Sequence, residues 1–555
     1  MLRPLPLLTA TVLAGPVAFG LIGAVLPALG YLVPGLEADA MPIDRALGWP
    51  GLPRALFVSV LSGVLSTLGA LSVAALILAG WHGTRAFDWL ERALSPLLAV
   101  PHAAAALGLA FLIAPSGWIG RLPAVLLGWT QAPDLLILND PWGLSLTAGL
   151  IAKELPFLLL MMLAALPQAN AGPRMAVARS LRQGRVAGWL KTVFPSVYAQ
   201  VRLPVLVVLV FGVTNVDVAV ILGPSTPPTL AVQVTRWMTD PDLASRAVAA
   251  AGGLVLFAAT LGVLGAWLLG ERIAAWLGRV WIWSGRGAPE RLARLAGLVF
   301  AGGSAAMVLA GIAALAIWSV AARWSYPALW PDALTTRSWA RFGPEMGATA
   351  LDTMGIALAA TVLSLVLVIG CLEAEHRFGL TLGQRALWLL YLPLLVPQVA
   401  FLPGLQLLPL SLGLGPSVWL VLAGHVVFVL PYVFLSLSGP FRAWDGRLAR
   451  VAAGLGATRN RALWTLRLPM LTGPLLTAAA VGLAVSVGQY LPTLLIGGGR
   501  VETLTTEAVA LAAGGDRRAI GVYGLMQTGA ALVPFALALV IPALVWRNRR
   551  GLRHG

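Results

Sequence analysis

Long apolar stretches, separated by short polar segments, follow one another along the whole chain of 555 residues. A helix needs about 20 mostly apolar residues to cross the hydrocarbon core of a bilayer. Stretches of that length occur six times in each half of the chain. They are residues 5–33, 54–80, 93–114, 142–167, 197–222 and 245–270, then 295–322, 346–372, 385–411, 416–439, 470–496 and 518–546. The pattern predicts an all-α, polytopic membrane protein with about 12 spans.

Two segments at the margins of this pattern need separate interpretation. Residues 115–141 are interrupted by Pro and Gly too often for a clean span, so we expect an external excursion or a short re-entrant piece. The N-terminal Met1–Pro6 has little charge, and no clear small-residue cleavage site follows it. We therefore expect the first apolar stretch to be a retained helix.

The composition supports the bilayer as the main solvent. Apolar residues make up 59% of the chain and charged residues 11%, whereas an ordinary soluble domain carries about 25% charged residues. The 38 Lys and Arg against 22 Asp and Glu give a net charge of +16. With the amino terminus in the cytoplasm, most of these bases fall in cytoplasmic segments, as the positive-inside rule requires. The charge therefore predicts a bacterial inner-membrane protein with both termini cytoplasmic, in contact with lipid and not with nucleic acid.

Matching residues recur at nearly constant separations and indicate an internal repeat. Pro195 of the first half recurs as Pro469 of the second, and we call residues that the repeat relates in this way counterparts. Gly108 and Gly404, further upstream in their halves, are separated by a longer interval. The longer interval is explained if residues 115–141 contain an insertion that is present in the first half only.

The repeat predicts a first half at residues 1–275, a connector at 276–294 and a second half at 295–555. An even number of spans gives both halves the same orientation, related by an axis along the membrane normal. Such an arrangement favours a pore between two lobes.

Each half also carries a basic loop after its fourth span. The first loop is 168–195 and the second loop is 442–469. Their distinctive residues are Ala176, Ala178, Arg182, Gly184 and Pro195 in the first, and Arg450, Ala452, Gly456 and Pro469 in the second. This pattern resembles the coupling loop of ABC-importer permeases, which runs Glu-Ala-Ala, three residues, Gly, and about a dozen residues to an apolar-Pro ending.

The resemblance implies a type I ABC-importer permease of the fused double type, similar to the permeases of the thiamine and ferric-iron importers. It implies that the two loops dock into two ATPase subunits on the cytoplasmic side and that a periplasmic solute-binding protein delivers the solute. The chain has no Gly-x-x-x-x-Gly-Lys-Ser/Thr phosphate loop, so ATP hydrolysis requires a separate subunit. We expect the halves to rock as ATP binds and is hydrolysed.

Both loops depart from the family pattern. Ala176 and Arg450 replace its Glu, so we expect shape and apolar contact to dominate the docking. Arg182 replaces its Gly, and Gly184 is expected to provide the bend instead, so the two docks should differ in strength. A β-branched residue at Gly456 should strain the turn, whereas Arg182→Gly should be mild.

A few polar residues within the spans are candidates for the solute pathway. Glu154 follows Lys153 in mid-span, where a charge is costly enough to suggest function, although both residues can also pair structurally between helices. Asn215 and Gln489 are counterparts in the repeat, with Asp217 close to the first. They can line the path or simply join helices through hydrogen bonds.

Two other classes of protein fit part of the pattern. A twelve-span ion-coupled secondary transporter also has two parallel repeats, but residues 81–92 lack the Gly-x-x-x-Asp-Arg pattern of the major facilitator group. An integral-membrane lipid enzyme needs clustered acids or His at one membrane face, and here the acids are scattered. With the single Cys371, the chain cannot form an internal disulfide. We predict no catalytic residue, metal or cofactor.

Overall fold

The computed structural model describes residues 2–31, 41–380, 383–411, 413 and 415–545. These residues are mostly helical, as the apolar pattern predicts. The ends of the first and last predicted spans, at 32–33 and 546, lie outside the described residues, as does the basic C-terminus.

Helices α1 to α13 cover the predicted first half, and α13 ends within the predicted connector. They are α1 (Leu5–Ala28), α2 (Pro42–Leu47), α3 (Leu52–Trp81), α4 (Arg85–Leu97), α5 (His102–Ile113), α6 (Trp118–Leu127), α7 (Leu144–Ala165), α8 (Ala171–Ser180), α9 (Arg185–Thr192), α10 (Phe194–Thr214), α11 (Asp217–Leu222), α12 (Leu230–Thr239) and α13 (Leu243–Trp283).

From the end of the predicted connector through the predicted second half, the chain forms helices α14 to α25, one π-helical turn (Leu463–Arg467) and a short antiparallel pair of strands, β1 (Ala321–Arg323) and β2 (Ala333–Leu334). The helices are α14 (Glu290–Val320), α15 (Arg337–Phe378), α16 (Gln384–Leu395), α17 (Gln398–Ser411), α18 (Val418–Ala443), α19 (Gly446–Gly454), α20 (Arg459–Ala462), α21 (Leu468–Met470), α22 (Thr472–Val487), α23 (Leu491–Gly497), α24 (Leu504–Ala512) and α25 (Arg517–Val545).

The number of candidate spans agrees with the sequence pattern. Ten helical segments of the described chain are long and apolar enough to cross a membrane, and two bent pairs raise the number to 12. The bent pairs are Trp388–Leu395 with Gln398–Leu407, at 83°, and Arg459–Met470 with Thr472–Val487, at 76°. Each of the 12 overlaps one predicted stretch.

The boundaries of the predicted third span, 93–114, are wrong. α4 stops at Leu97, and α5 begins at His102 after Pro101, which has no N–H group and restricts the residue before it. After a short bend α6 follows, so the candidate span is His102–Leu127 and includes part of 115–141. The stretches 197–222 and 470–496 are likewise interrupted, between α10 and α11 and between α22 and α23.

Both basic loops lie on one side of the molecule, which we call the loop face. α14 starts beside the first loop, where Glu290 contacts Val186. α14 and α15 then cross the molecule in opposite directions, and α15 ends beside the second loop, where Arg377 contacts Asn460. The start of α1 lies here too, because Arg3 stacks over Phe378.

The first helix of each half packs against the other half. α1 lies along α16 and α17, and α14 lies along α3 and α5. In both places glycines bring the two backbones together. A methyl group at Gly23 would lie 2.7 Å from the carbonyl oxygen of Gly404, and one at Gly108 would lie 2.7 Å from the carbonyl carbon of Gly311. Gly108 and Gly404 are the upstream pair found in the sequence, so the repeat preserves a helix contact.

We predict that Gly311→Ala lowers the unfolding temperature of the detergent-solubilised protein, because the added methyl group must separate α14 from α5. Overpacking of this kind costs about 1–3 kcal/mol. Gly303→Ala is the matched control on the same helix, where an added methyl group meets open space. An equal unfolding temperature for the two variants would show that the close contact of α14 with α5 does not support the fold.

Candidate coupling loops and central helix breaks

The first loop folds into two short helices joined by a left-handed turn. α8 ends at Ser180 and α9 begins at Arg185, and between them Arg182 has φ of 54°. The N–H of Gln183 donates to the carbonyl of Ala178 over 3.0 Å and closes the turn. Ala178 is buried beneath it, while Ala176 and Arg182 are exposed.

The second loop has the same turn. Gly456 has φ of 80°, and the N–H of Ala457 donates to the carbonyl of Ala452 over 2.9 Å. Ala452 is buried and Arg450 is exposed, as at the matching positions of the first loop. The left-handed conformation expected at Gly456 is therefore present. Beyond it, α20, the π-helical turn and α21 lead through Pro469 into α22, whereas Pro195 lies in the first turn of α10.

The bend expected at Gly184 is wrong. Gly184 has φ of −63° and ψ of 167°, an extended conformation that any residue adopts, and it is the N-cap of α9. Arg182 itself takes the left-handed conformation, because the same hydrogen bond that closes the turn at Gly456 closes it here. The conformation costs an ordinary residue about 1–2 kcal/mol.

The N-terminus of α9 receives a carboxylate from the connector between the halves. Glu290, the first residue of α14, accepts hydrogen bonds from the N–H groups of Val186, at 2.9 Å, and Ala187, at 3.1 Å. In the second loop, Thr458 caps α20 with its own hydroxyl, which accepts from the N–H of Arg461 over 3.2 Å. Thr458 is the counterpart of Gly184, the N-cap of α9.

An exposed apolar pair on each loop was not predicted from the sequence. Val177 and Leu181 on the first loop are 57% and 68% exposed, and Val451 and Leu455 on the second are 62% and 83% exposed. The second pair is the counterpart of the first, so a comparison of the two loops within the repeat could have identified both pairs from the sequence. Residues four apart lie on one helix face, and each loop thus presents a Val and a Leu side by side.

Charge supports the second loop from two sides. Asp445 caps α19 and accepts from the N–H of Arg447 over 2.9 Å, and this hydrogen bond lowers the pKa of Asp445 below its ordinary value. Behind the loop, buried Arg467 bonds to Glu373 over 3.0 Å and stacks 3.8 Å from the Phe441 ring. In the first loop an uncharged residue, Val193, is the counterpart of Arg467, and it is also buried.

The two charged residues of α7 lie at the break between α4 and α5. Lys153 donates to the carbonyls of Leu97 and Leu98 over 3.1 and 3.0 Å, at the C-terminal end of α4. The Glu154 carboxylate is 3.0 Å from Nε2 of His102, the first residue of α5. A cation thus meets a helix C-terminus and an anion meets a helix N-terminus, as the helix dipole favours.

At the matching break of the second half, between α16 and α17, aromatic rings take the place of the charged residues. Phe428 is the counterpart of Lys153, and its ring stacks on that of Phe401 at a centroid distance of 6.0 Å. In the first half, Lys153 has its structural partners in the carbonyls that end α4, and Glu154 has its partner in His102. The His102 side chain, however, remains 34% exposed.

Asn215 and Gln489 lie at matching helix breaks. Asn215 separates α10 from α11, where its amide oxygen accepts from the N–H of Ala219 over 3.0 Å and its amide nitrogen donates to Asp217 over 2.8 Å. Gln489 is half-buried between α22 and α23. There, His425 bridges the break, 2.8 Å from the hydroxyl of Ser486 and 2.9 Å from that of Thr493.

These sites offer apolar contact at the two loops and hydrogen bonding at the helix breaks. Within the described parts of the chain, no three His, Cys, Asp or Glu side chains group closely enough to hold a metal ion. The exposed apolar pairs suit a protein partner, and the helix breaks supply polar groups in an otherwise apolar interior.

Comparison with known proteins identifies relatives of this chain. The inner membrane ABC transporter permease protein YnjC of Escherichia coli is 31% identical over 510 residues, which cover 91% of each protein. The molybdenum transport system permease ModB of Mycobacterium tuberculosis is 27% identical over 251 residues, or 42% of this chain and 92% of ModB. The spermidine/putrescine permease PotC of Haemophilus influenzae is 22% identical over 35% of this chain and 70% of PotC. No family model matches the chain.

We predict opposite effects of two substitutions at the loop turns. Gly456→Val should loosen the second loop, because a β-branched residue in the left-handed conformation costs about 1–3 kcal/mol. Arg182→Gly should leave the first loop as stable or more stable, because glycine adopts its backbone without strain. Hydrogen exchange of the amides in 171–192 and 446–467 measures both. Faster amide exchange in the Arg182→Gly variant, together with an unchanged exchange rate in the Gly456→Val variant, would contradict our assignment of the turns.

Proposed function

Because the chain belongs to the family of inner-membrane ABC transporter permeases, we propose that it supplies both halves of the permease of one ATP-driven importer. The halves are residues 1–275 and 295–555, joined by the connector 276–294. The observation that supports this most is the repetition of one docking turn, with one exposed Val and Leu pair, at counterpart positions of the two halves. ModB and PotC align with this chain over less than half of its length, as a double permease leads one to expect.

Permeases of this family work with separate ATPase subunits and a solute-binding protein. We propose that two copies of one ATPase bind this chain, one at each loop. The two exposed pairs support this stoichiometry, because both present a Val and a Leu in the same order. Identical apolar pairs fit identical grooves. The loss of the family's Glu at Ala176 and Arg450 places most of the binding energy on these apolar contacts.

The loop face is proposed to be cytoplasmic. The bases of both loops and of the connector lie on it, which agrees with the positive-inside rule. The start of α1 lies on the same face, so the proposal makes the amino terminus cytoplasmic as well. The opposite face, with β1, β2 and the segment 128–143, is then periplasmic and receives the binding protein.

We propose that the solute passes between the halves, along the helix breaks. Asn215 with Asp217 and Gln489 lie at one pair of matching breaks, and Glu154 lies at a second, beside the partly exposed His102. A broken helix exposes backbone polar groups, which membrane proteins tolerate where the backbone faces protein or a water-filled cavity. The breaks therefore supply polar contacts without burying unpaired charge.

The first test of this function replaces the exposed apolar pairs with acids. Val451→Asp with Leu455→Asp should reduce the cognate ATPase that co-purifies in detergent by more than tenfold, because a buried Val or Leu contributes about 1.5–3 kcal/mol. Val177→Asp with Leu181→Asp should act in the same way at the other loop. Ala453→Asp is the control, since Ala453 is exposed on another face of α19. The unaltered chain should hydrolyse no ATP by itself.

Robust ATP hydrolysis by the purified chain alone would overturn the proposed function. ATPase recovery that is unaffected by all four acidic substitutions would overturn the docking assignment.

The second test fixes the orientation. A reporter fused after Arg550 should give a cytoplasmic signal, and one inserted near Asp134 should give a periplasmic signal, because the positive loops stay inside. Alkaline phosphatase, active in the periplasm, and a fluorescent protein, active in the cytoplasm, provide complementary measurements. Reversed signals at the two sites would put the loops on the wrong side for an ATPase.

A further inference from the structure

The first loop is held by a residue of the connector between the two halves, Glu290. The carboxylate of Glu290 accepts from the N–H groups of Val186 and Ala187, which are the second and third residues of α9. These donors are the ones that an N-cap side chain normally satisfies. The carboxylate also places a negative charge at the positive end of the helix dipole. Glu290 therefore does the work of an N-cap for a helix whose own N-cap position, Gly184, has no side chain.

The glycine at that position makes room for the carboxylate. A methyl group on Gly184 would lie 2.6 Å from the carboxylate carbon of Glu290. The second loop has Thr458 at the matching position and caps α20 locally. A local side-chain cap and a carboxylate from α14 thus occupy the same space, and each loop has one of them.

Further contacts tie the same region to the first loop. Lys191 of α9 donates to the carbonyl of Arg286 over 2.6 Å, and its ammonium group lies 4.8 Å from the centre of the Trp281 ring. Trp81, at the end of α3, donates to the carbonyl of Arg294 over 2.8 Å. The connector, which includes the start of α14, therefore contacts both α9 and α3.

We propose that Glu290 is a positioning residue for the first coupling loop, through which α14 sets the angle of α9 and hence the placement of Val177 and Leu181. This inference rests on the proposed function, because it assigns the loop to ATPase docking. It makes the covalent connection between the halves part of the coupling device. A movement of α14 reaches α9 through the carboxylate of Glu290, which accepts from the N–H groups of Val186 and Ala187, and does not have to pass through the membrane-spanning core.

The test moves the cap from one residue to the other. Glu290→Ala should increase the rate of trypsin cleavage at Arg182 and Arg185 in the purified chain about threefold or more, because an uncapped α9 frays. Gly184→Thr alone should have a similar effect, because the new side chain collides with the carboxylate that is still present and neither group can cap α9. The double variant should return to the unaltered rate, because the introduced threonine would then cap α9 from within its own loop. Arg291→Ala, an exposed change on the same turn of α14, is the control.

A second measurement separates positioning from folding. In the complex with its ATPase, Glu290→Ala should retain the co-purified ATPase but lower the rate of ATP hydrolysis about threefold, and the double variant should restore it. A double variant no better than Glu290→Ala in the trypsin assay would overturn the cap, and unchanged hydrolysis in Glu290→Ala would overturn its role in coupling. If the unaltered chain recruits no ATPase, the proposed function fails, while the trypsin comparison still decides whether Glu290 caps α9.

Discussion

The arrangement of the two halves depends on the close approach of helix backbones at glycine. Gly23 meets Gly404 where α1 crosses α17, and Gly311 meets Gly108 where α14 crosses α5. Between apolar helices in a bilayer the hydrophobic effect gives little attraction, so association relies on close van der Waals packing, and small residues permit it. Because α1 packs on α17 and α14 packs on α5, each contact joins a helix of one predicted half to the other. The two basic loops and the helix breaks are positioned by the helices that these contacts join.

Much of this fold follows from the sequence pattern. Apolar length predicted the number of spans, and the repeat predicted that Gly108 and Gly404 occupy equivalent positions, although not that each receives a helix from the other half. The helix breaks were not predicted, because an apolar run looks the same whether it is one helix or two. At α4 and α5 the break is stabilised by Lys153, which reaches the carbonyl of Leu97 from far along the chain. The apolar content of a local stretch of sequence gives no information about such a distant contact.

The two basic loops show a similar limit of prediction from the sequence. The pattern located the turn at Gly456, and it placed Arg182 at the matching position, but it moved the bend of the first loop to Gly184 because glycine is the residue that bends most easily. Gly184 is small for another reason, which is the carboxylate of Glu290. Local conformational preference alone assigns Gly184 to the turn, whereas the long-range contact with Glu290 explains a glycine at the N-cap of α9. The two explanations are distinguished only when both segments are seen together.

The swapped position of α1 has a consequence for how the protein is made. α1 leaves the ribosome before α2 to α25, yet the residue that contacts Gly23 is Gly404, which is made 381 residues later. At a synthesis rate of about 5–20 residues per second, that interval is roughly 20–80 s. Throughout it, α1 must stay in the bilayer with lipid along the face that later contacts α17. The sequence of α1 is compatible with contact with lipid during this interval, since the helix carries no charged residue and its glycines add no side chain to the face that later packs on α17.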